Sequence, residues 1–141
     1  MYLISVEGGD GSGKGEAVRI LSEIASEFPF PNIVVTHEPR RHSELGKLAL
    51  QSVKEGKTTP LNEAGLFAAD RLDHSHTWIK PRLQQGTLVI SDRNIHTSLV
   101  YQGYVGKLGI ERVAKMNAAA LIPDLVFWID CDPKKAMKRI Q

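Results

Sequence analysis

The chain has 141 residues, of which 42% are hydrophobic and 24% charged, the make-up of one globular domain with a real core and too short for two. Lys and Arg number 18 against 16 Asp and Glu; the resulting net charge of +2 excludes a strongly basic nucleic-acid-coating protein but allows a local basic site. One cysteine excludes internal disulfides and cysteine-rich metal sites, and the absence of a membrane-length apolar run or a signal-peptide pattern makes the cytoplasm the expected compartment.

Four apolar runs, at 2–6, 33–36, 88–91 and 125–129, are rich in Ile, Val and Leu without clean alternation, which predicts parallel strands covered on both faces. Helical spacing occupies the segments between them. Residues 14–27 carry Ala17, Ile20, Leu21, Ile24 and Ala25; residues 43–54 carry Leu45, Leu48, Ala49 and Val53. A third stripe is Leu61, Ala64, Ala68 and Leu72, with Pro81 expected to kink or split the long helix before it, and 110–121 reads as a further helix. Pro29, Pro31, Gly56 and Gly86 supply the breaks. Alternating strands and helices imply right-handed crossovers and a doubly wound α/β sheet. In such sheets a ligand sits beyond the carboxyl ends of the strands, where this chain places Glu7-Gly8, His37-Glu38, Asp92-Arg93 and Asp130-Cys131-Asp132.

Gly8-Gly9-Asp10-Gly11-Ser12-Gly13-Lys14 follows the first strand and opens the first helix, the G-x-x-x-x-G-K pattern in its strand–loop–helix setting. Glycines let successive N–H groups turn inward around phosphate oxygens, the helix N-terminus adds partial positive charge, and Lys14 reaches the outer phosphates. The next position is expected to be a Ser or Thr whose hydroxyl binds Mg²⁺; here it is Gly15, followed by Glu16. Three clusters suggest a phosphoryl acceptor: Glu38-Pro39-Arg40-Arg41 after the second strand, Phe67, Arg71 and His74 at helical spacing, and Asp92-Arg93 followed by Ser98, Tyr101 and Gln102. Asp92, ending an apolar strand, is placed to hold a metal through water. The histidines lack metal-ligand spacing; Cys131, Trp78 and Trp128 read as core residues.

The motifs EGGDGSGK, HEPR, LFAADR with IKPRLQQG, ISDRNIHTSLVYQG and PDLVFWIDCDP, in this order over essentially the whole chain, resemble the thymidylate kinase family. The resemblance implies a three-layer α/β/α P-loop kinase fold that transfers phosphate from ATP to dTMP with Mg²⁺, in a cytoplasmic homodimer without nucleic-acid or membrane partners. It implies that Gly8 through Glu16 bind ATP and that Asp10, Lys14, Asp92 and Arg93 are catalytic. Asp10, Glu38, Pro39, Arg40, Phe67, Arg71, Arg93, Ser98, Tyr101 and Gln102 would bind dTMP, Phe67 stacking on thymine, Arg71 donating to it and Arg40 and Arg93 gripping its phosphate. Asn94 stands where the family usually has an aromatic or similar residue. Family members continue into an arginine-bearing lid and a fifth strand, so 1–141 reads as a single kinase domain with the lid and last strand absent. Gly15 and the missing lid keep a non-catalytic nucleotide-binding protein open as an alternative, and a P-loop ATPase or GTPase remains a third.

Overall fold

A computed structural model describes residues 2–141. Four parallel strands, β1 (Leu3–Glu7), β2 (Ile33–His37), β3 (Leu88–Asp92) and β4 (Leu125–Trp128), form one sheet in the order β2-β3-β1-β4. The helices are α1 (Lys14–Ala25), α2 (Glu44–Glu55), α3 (Pro60–Asp73), α4 (Lys80–Gln84), α5 (Ile95–Ser98), α6 (Ile110–Met116) and α7 (Pro133–Ile140). Two stretches of π-helix interrupt this pattern: His74–Ile79 joins α3 to α4, and Leu99–Val105 extends α5. Pro81 lies in the first turn of α4, immediately after the first of them.

Alternate residues of β1 and β3 enter opposite faces, as strand geometry requires. Val6, Leu88 and Ile90 pack with Val18 and Ala25 of α1, while Leu3 and Val89 pack with Ile79 on the other side. The central strands therefore carry the helix layers on both faces expected of a doubly wound sheet. β4 departs from that expectation: it is an edge strand, and all four of its side chains are exposed. Trp128 is 73% exposed and Cys131 is partly exposed, so neither is a core residue. The helix expected over 110–121 ends at Met116, with Asn117 at its C-cap.

Local chemistry sets the helix starts. The Ser43 hydroxyl accepts the Gly46 N–H at 2.9 Å at the head of α2, and Thr59 caps α3 with Pro60 in the first turn. Gly46 allows a close approach, since a Cβ there would collide with the Arg40 carbonyl. Register aligns the strand ends: Asp92 lies beside Val6 on one flank and His37 on the other. That alignment gathers the polar residues following β1, β2 and β3 at one edge of the molecule.

The contrast between centre and edge gives a stability prediction. Ile90→Ala should cost about 2–5 kcal/mol, as for buried aliphatic truncations. Trp128→Gln should stay within about 0.5 kcal/mol of the parent. Urea unfolding midpoints measure both, and comparable losses would contradict the exposure of β4.

Candidate functional site

The glycine loop wraps from the end of β1 to the start of α1. Gly11 (φ 73°) and Gly13 (φ 103°) adopt left-handed backbone that side chains with a Cβ resist. A Cβ at Gly11 would also strike the Ala136 carbonyl, because α7 lies against the loop. Arg139 of α7 donates from Nη1 to the Gly11 and Ser12 carbonyls at 3.1 and 3.4 Å. The Lys14 ammonium folds across the loop and donates to the Gly9 carbonyl at 2.8 Å. Burial, followed by the charge of Arg93, lowers its pKa; Asp92, Asp10 and Glu7 act in the opposite direction. Gly15, one residue on, faces open space, with nothing within 4 Å of a Cβ placed there.

Beside the loop lies a cleft of about 460 Å³. Asp10, Pro39, Phe67, Arg93, Tyr101 and Gln102 line it together, six of the residues singled out from sequence. Arg93 pairs with Asp10 at 2.5 Å, reaches the Thr97 hydroxyl at 3.3 Å, and lies 5.9 Å from the centre of the Tyr101 ring. Gln102 donates from Nε2 to Glu63 at 2.9 Å, leaving its Oε1 buried without a partner. Asp92 Oδ1 and Ser12 Oγ are likewise buried without partners.

The other candidates sit elsewhere. Arg40 does not line the cleft: its Nε bonds Asp70 at 3.0 Å and its Nη2 bonds Asp73 at 2.5 Å. Two carboxylates on α3 hold the guanidinium more firmly than one open edge of a cleft could. Glu38, Arg71 and Ser98 form a buried layer instead of an open surface. Arg71, 2% exposed, donates to Glu38 at 2.6 Å, Asn117 Oδ1 at 2.7 Å, Ser98 Oγ at 3.0 Å and the Asn94 carbonyl at 3.4 Å. His74 joins the layer, with Nδ1 3.1 Å from Glu38 and Nε2 2.9 Å from the Thr36 hydroxyl. A neutral imidazole donating from Nδ1 and accepting at Nε2 satisfies both neighbours.

Sequence reasoning missed Glu7, Asn94, Thr97 and Asn117 as parts of the site. Glu7 ends β1 just before the glycine loop. Its carboxylate accepts the Asn94 N–H and the Thr97 hydroxyl, both at 2.7 Å. The visible signal was a charged residue closing an apolar strand, but such residues are common at strand ends. Asn94, fully buried, looked like a departure from an aromatic position; its Oδ1 caps α5 by accepting the Ile95 N–H at 2.7 Å.

The thymidylate kinase family profile matches residues 6–141. A "probable thymidylate kinase" of Thermococcus onnurineus is 41% identical over 149 residues, covering 99% of this chain and 71% of that protein. A thymidylate kinase of Lactobacillus acidophilus is 37% identical over 146 residues, covering 99% and 67%. The crystal structure of thymidylate kinase from Ehrlichia chaffeensis superposes with a TM-score of 0.82 at 31% identity, covering 99% of this chain and 81% of that one.

Burial raises the Glu7 carboxyl above its ordinary value of 4.5, against the Thr97 and Asn94 hydrogen bonds and the charges of His96 and Arg93. A raised carboxyl favours the folded state when protonated, so that contribution is full below 4.5 and is lost as pH rises through the folded value. The melting temperature of wild type minus that of Glu7→Gln should therefore fall as pH rises from below 4.5 towards neutrality. A flat or rising difference would contradict the burial of this carboxylate.

Proposed function

This chain belongs to the thymidylate kinase family and phosphorylates dTMP, and we propose that ATP is the donor, held by Gly8 through Glu16, and that the adjoining cleft binds dTMP. The observation that carries this reading is the convergence of Asp10, Pro39, Phe67, Arg93, Tyr101 and Gln102 on one cleft beside the glycine loop. A phosphoryl acceptor needs a cation for its phosphate, an aromatic face for its base and a wall against its sugar. Arg93, Phe67 and Tyr101 supply these three. Arg71, in the buried layer and outside the cleft lining, has four acceptors for its five N–H donors, which leaves one N–H that a thymine carbonyl would take. Ser98 and Glu38 act by fixing that guanidinium, and Arg40 by tying the turn after β2 to α3.

Transfer needs the donor and acceptor phosphates in line, with charge on the transferred group balanced throughout. Loop N–H groups and Lys14 face the donor side, and Arg93 draws the acceptor phosphate towards Asp10. The unpartnered Oδ1 of Asp92 would hold a hydrated Mg²⁺ through water. When bound, Mg²⁺ supplies charge neutralisation on the donor phosphates. Exposed Leu48 on α2 and Leu61 on α3 support a homodimer built on these helices, and the cytoplasm is the proposed compartment. No described helix is long and apolar enough to cross a membrane.

The test is ADP formation with and without dTMP. A kinase requires dTMP, an ATPase does not, and a binding protein is silent in both. Phe67→Ala should weaken dTMP binding by about 1–3 kcal/mol and leave ATP affinity unchanged in calorimetry. Equal losses for the two nucleotides would make Phe67 a packing residue only. Gly15→Thr places a hydroxyl in open space at the head of α1. It should lower the Mg²⁺ concentration giving half-maximal dTMP-dependent turnover and raise the rate; superimposable Mg²⁺ titrations would show that the metal is held without that position.

A further inference from the structure

We propose that Glu7 is a positioning residue for the acceptor arginine: by accepting the Asn94 N–H, its carboxylate holds Arg93 in the left-handed conformation that aims the guanidinium across the cleft at Asp10. The inference rests on the reading of Arg93 as the ligand of the acceptor phosphate. Arg93 has φ 70°, a region a residue with a Cβ seldom occupies unless its surroundings over-determine it. Three bonds do so. Arg93 N–H donates to the Val6 carbonyl at 2.9 Å, Ser91 Oγ donates to the Arg93 carbonyl at 2.7 Å, and Asn94 N–H donates to Glu7 Oε1 at 2.7 Å.

The first two bonds hold Arg93 to the strands; the third fixes the peptide that follows it. The same carboxylate also governs the side chain. Glu7 Oε2 accepts a hydrogen bond from the Thr97 hydroxyl, which orients that oxygen to accept from Arg93 Nη1 at 3.3 Å. One buried group thus fixes both the backbone and the guanidinium of Arg93, with one oxygen for each. Glu7 is also the residue immediately before Gly8, so the arginine loop is referenced to the same strand end as the donor loop. Arg93 then meets an incoming phosphate already placed, without first ordering a long side chain.

The experiment compares Glu7→Ala and Glu7→Gln, each with Arg93 intact and in an Arg93→Ala background. Measurements are kcat and KM for dTMP, ATP affinity by calorimetry, and hydrogen exchange of the Asn94 amide by NMR. Glu7→Ala should lower kcat/KM for dTMP by roughly 10–100-fold, the scale of a misplaced catalytic group, with ATP affinity within about two-fold of wild type. Glu7→Gln keeps an acceptor for the Asn94 N–H but not for the Thr97 hydroxyl and should restore part of the loss. In the Arg93→Ala background Glu7→Ala should add little, and Asn94 exchange should accelerate in Glu7→Ala alone of the single variants. A loss of ATP affinity, multiplicative losses in the double variant, or Glu7→Gln as impaired as Glu7→Ala would each overturn the proposal. Should Glu7→Ala fail to fold, Thr97→Val, which removes the hydroxyl between Glu7 and the guanidinium, takes its place in the turnover comparison. If wild type shows no dTMP-dependent turnover, the functional reading falls. The positioning claim then stands or falls on Asn94 exchange in Glu7→Ala, unchanged protection overturning it.

Discussion

Two carboxylates buried where strands end, Glu7 closing β1 and Glu38 just after β2, set the architecture of the site. An ionised carboxylate leaving water is costly unless donors surround it, so each must recruit partners from other parts of the chain. Glu38 takes Arg71 and His74 from the end of α3 and the turn beyond it. Glu7 takes Asn94 and Thr97 from the loop and helix after β3. Removing one member of the Glu38–Arg71 pair would leave an uncompensated buried charge, a loss of about 3–5 kcal/mol in comparable cases. The cleft walls are thus pinned where charge must be satisfied.

Asn94 is where these two systems meet. Its N–H goes to Glu7, its Nδ2 lies 3.5 Å from Glu38, its carbonyl accepts from Arg71, and its Oδ1 starts α5. Every polar group of a fully buried residue is engaged, as burial demands. The base-side layer and the phosphate-side arginine are therefore parts of one hydrogen-bonded body. Displacing Asn94 would move both at once, and that mutual dependence is why an amide can stand at this position without loss of order.

Much of this was legible in the sequence, for identifiable reasons. The glycine loop was readable because positive φ at Gly11 and Gly13 demands glycine and because a strand and a helix flank it. The central strands were readable because burial on both faces leaves continuous apolar runs. The partner choices of long side chains were not. Arg40 and Arg93 both follow strands and both looked like phosphate ligands, yet only Arg93 faces the cleft, because Asp70 and Asp73 lie within reach of Arg40. Trp128 misled in the opposite direction: an aromatic residue in an apolar run reads as core, but β4 has one sheet neighbour, β1, and its four residues are exposed.

The two π-helical segments explain the remaining mismatch between spacing and placement. A π turn closes on the fifth residue along instead of the fourth, so the side chains after it are rotated relative to the preceding stripe. At His74–Ile79 this lets adjacent residues both face inward: His74 meets Glu38, while the Ser75 hydroxyl accepts the Leu121 N–H at 3.1 Å. At Leu99–Val105 the wide turn buries Gln102 and Gly103 together and leaves Tyr101 half exposed at the cleft rim. Periodicity in sequence records the apolar stripe that packs an element against the sheet. It carries no mark of a widened turn, because the residues that gain from the turn are polar and lie outside the stripe. The second widened turn lines the cleft with Tyr101 and Gln102, and the first sets His74 against Glu38 in the buried layer; at both, regular hydrogen bonding gives way so that polar side chains can be placed.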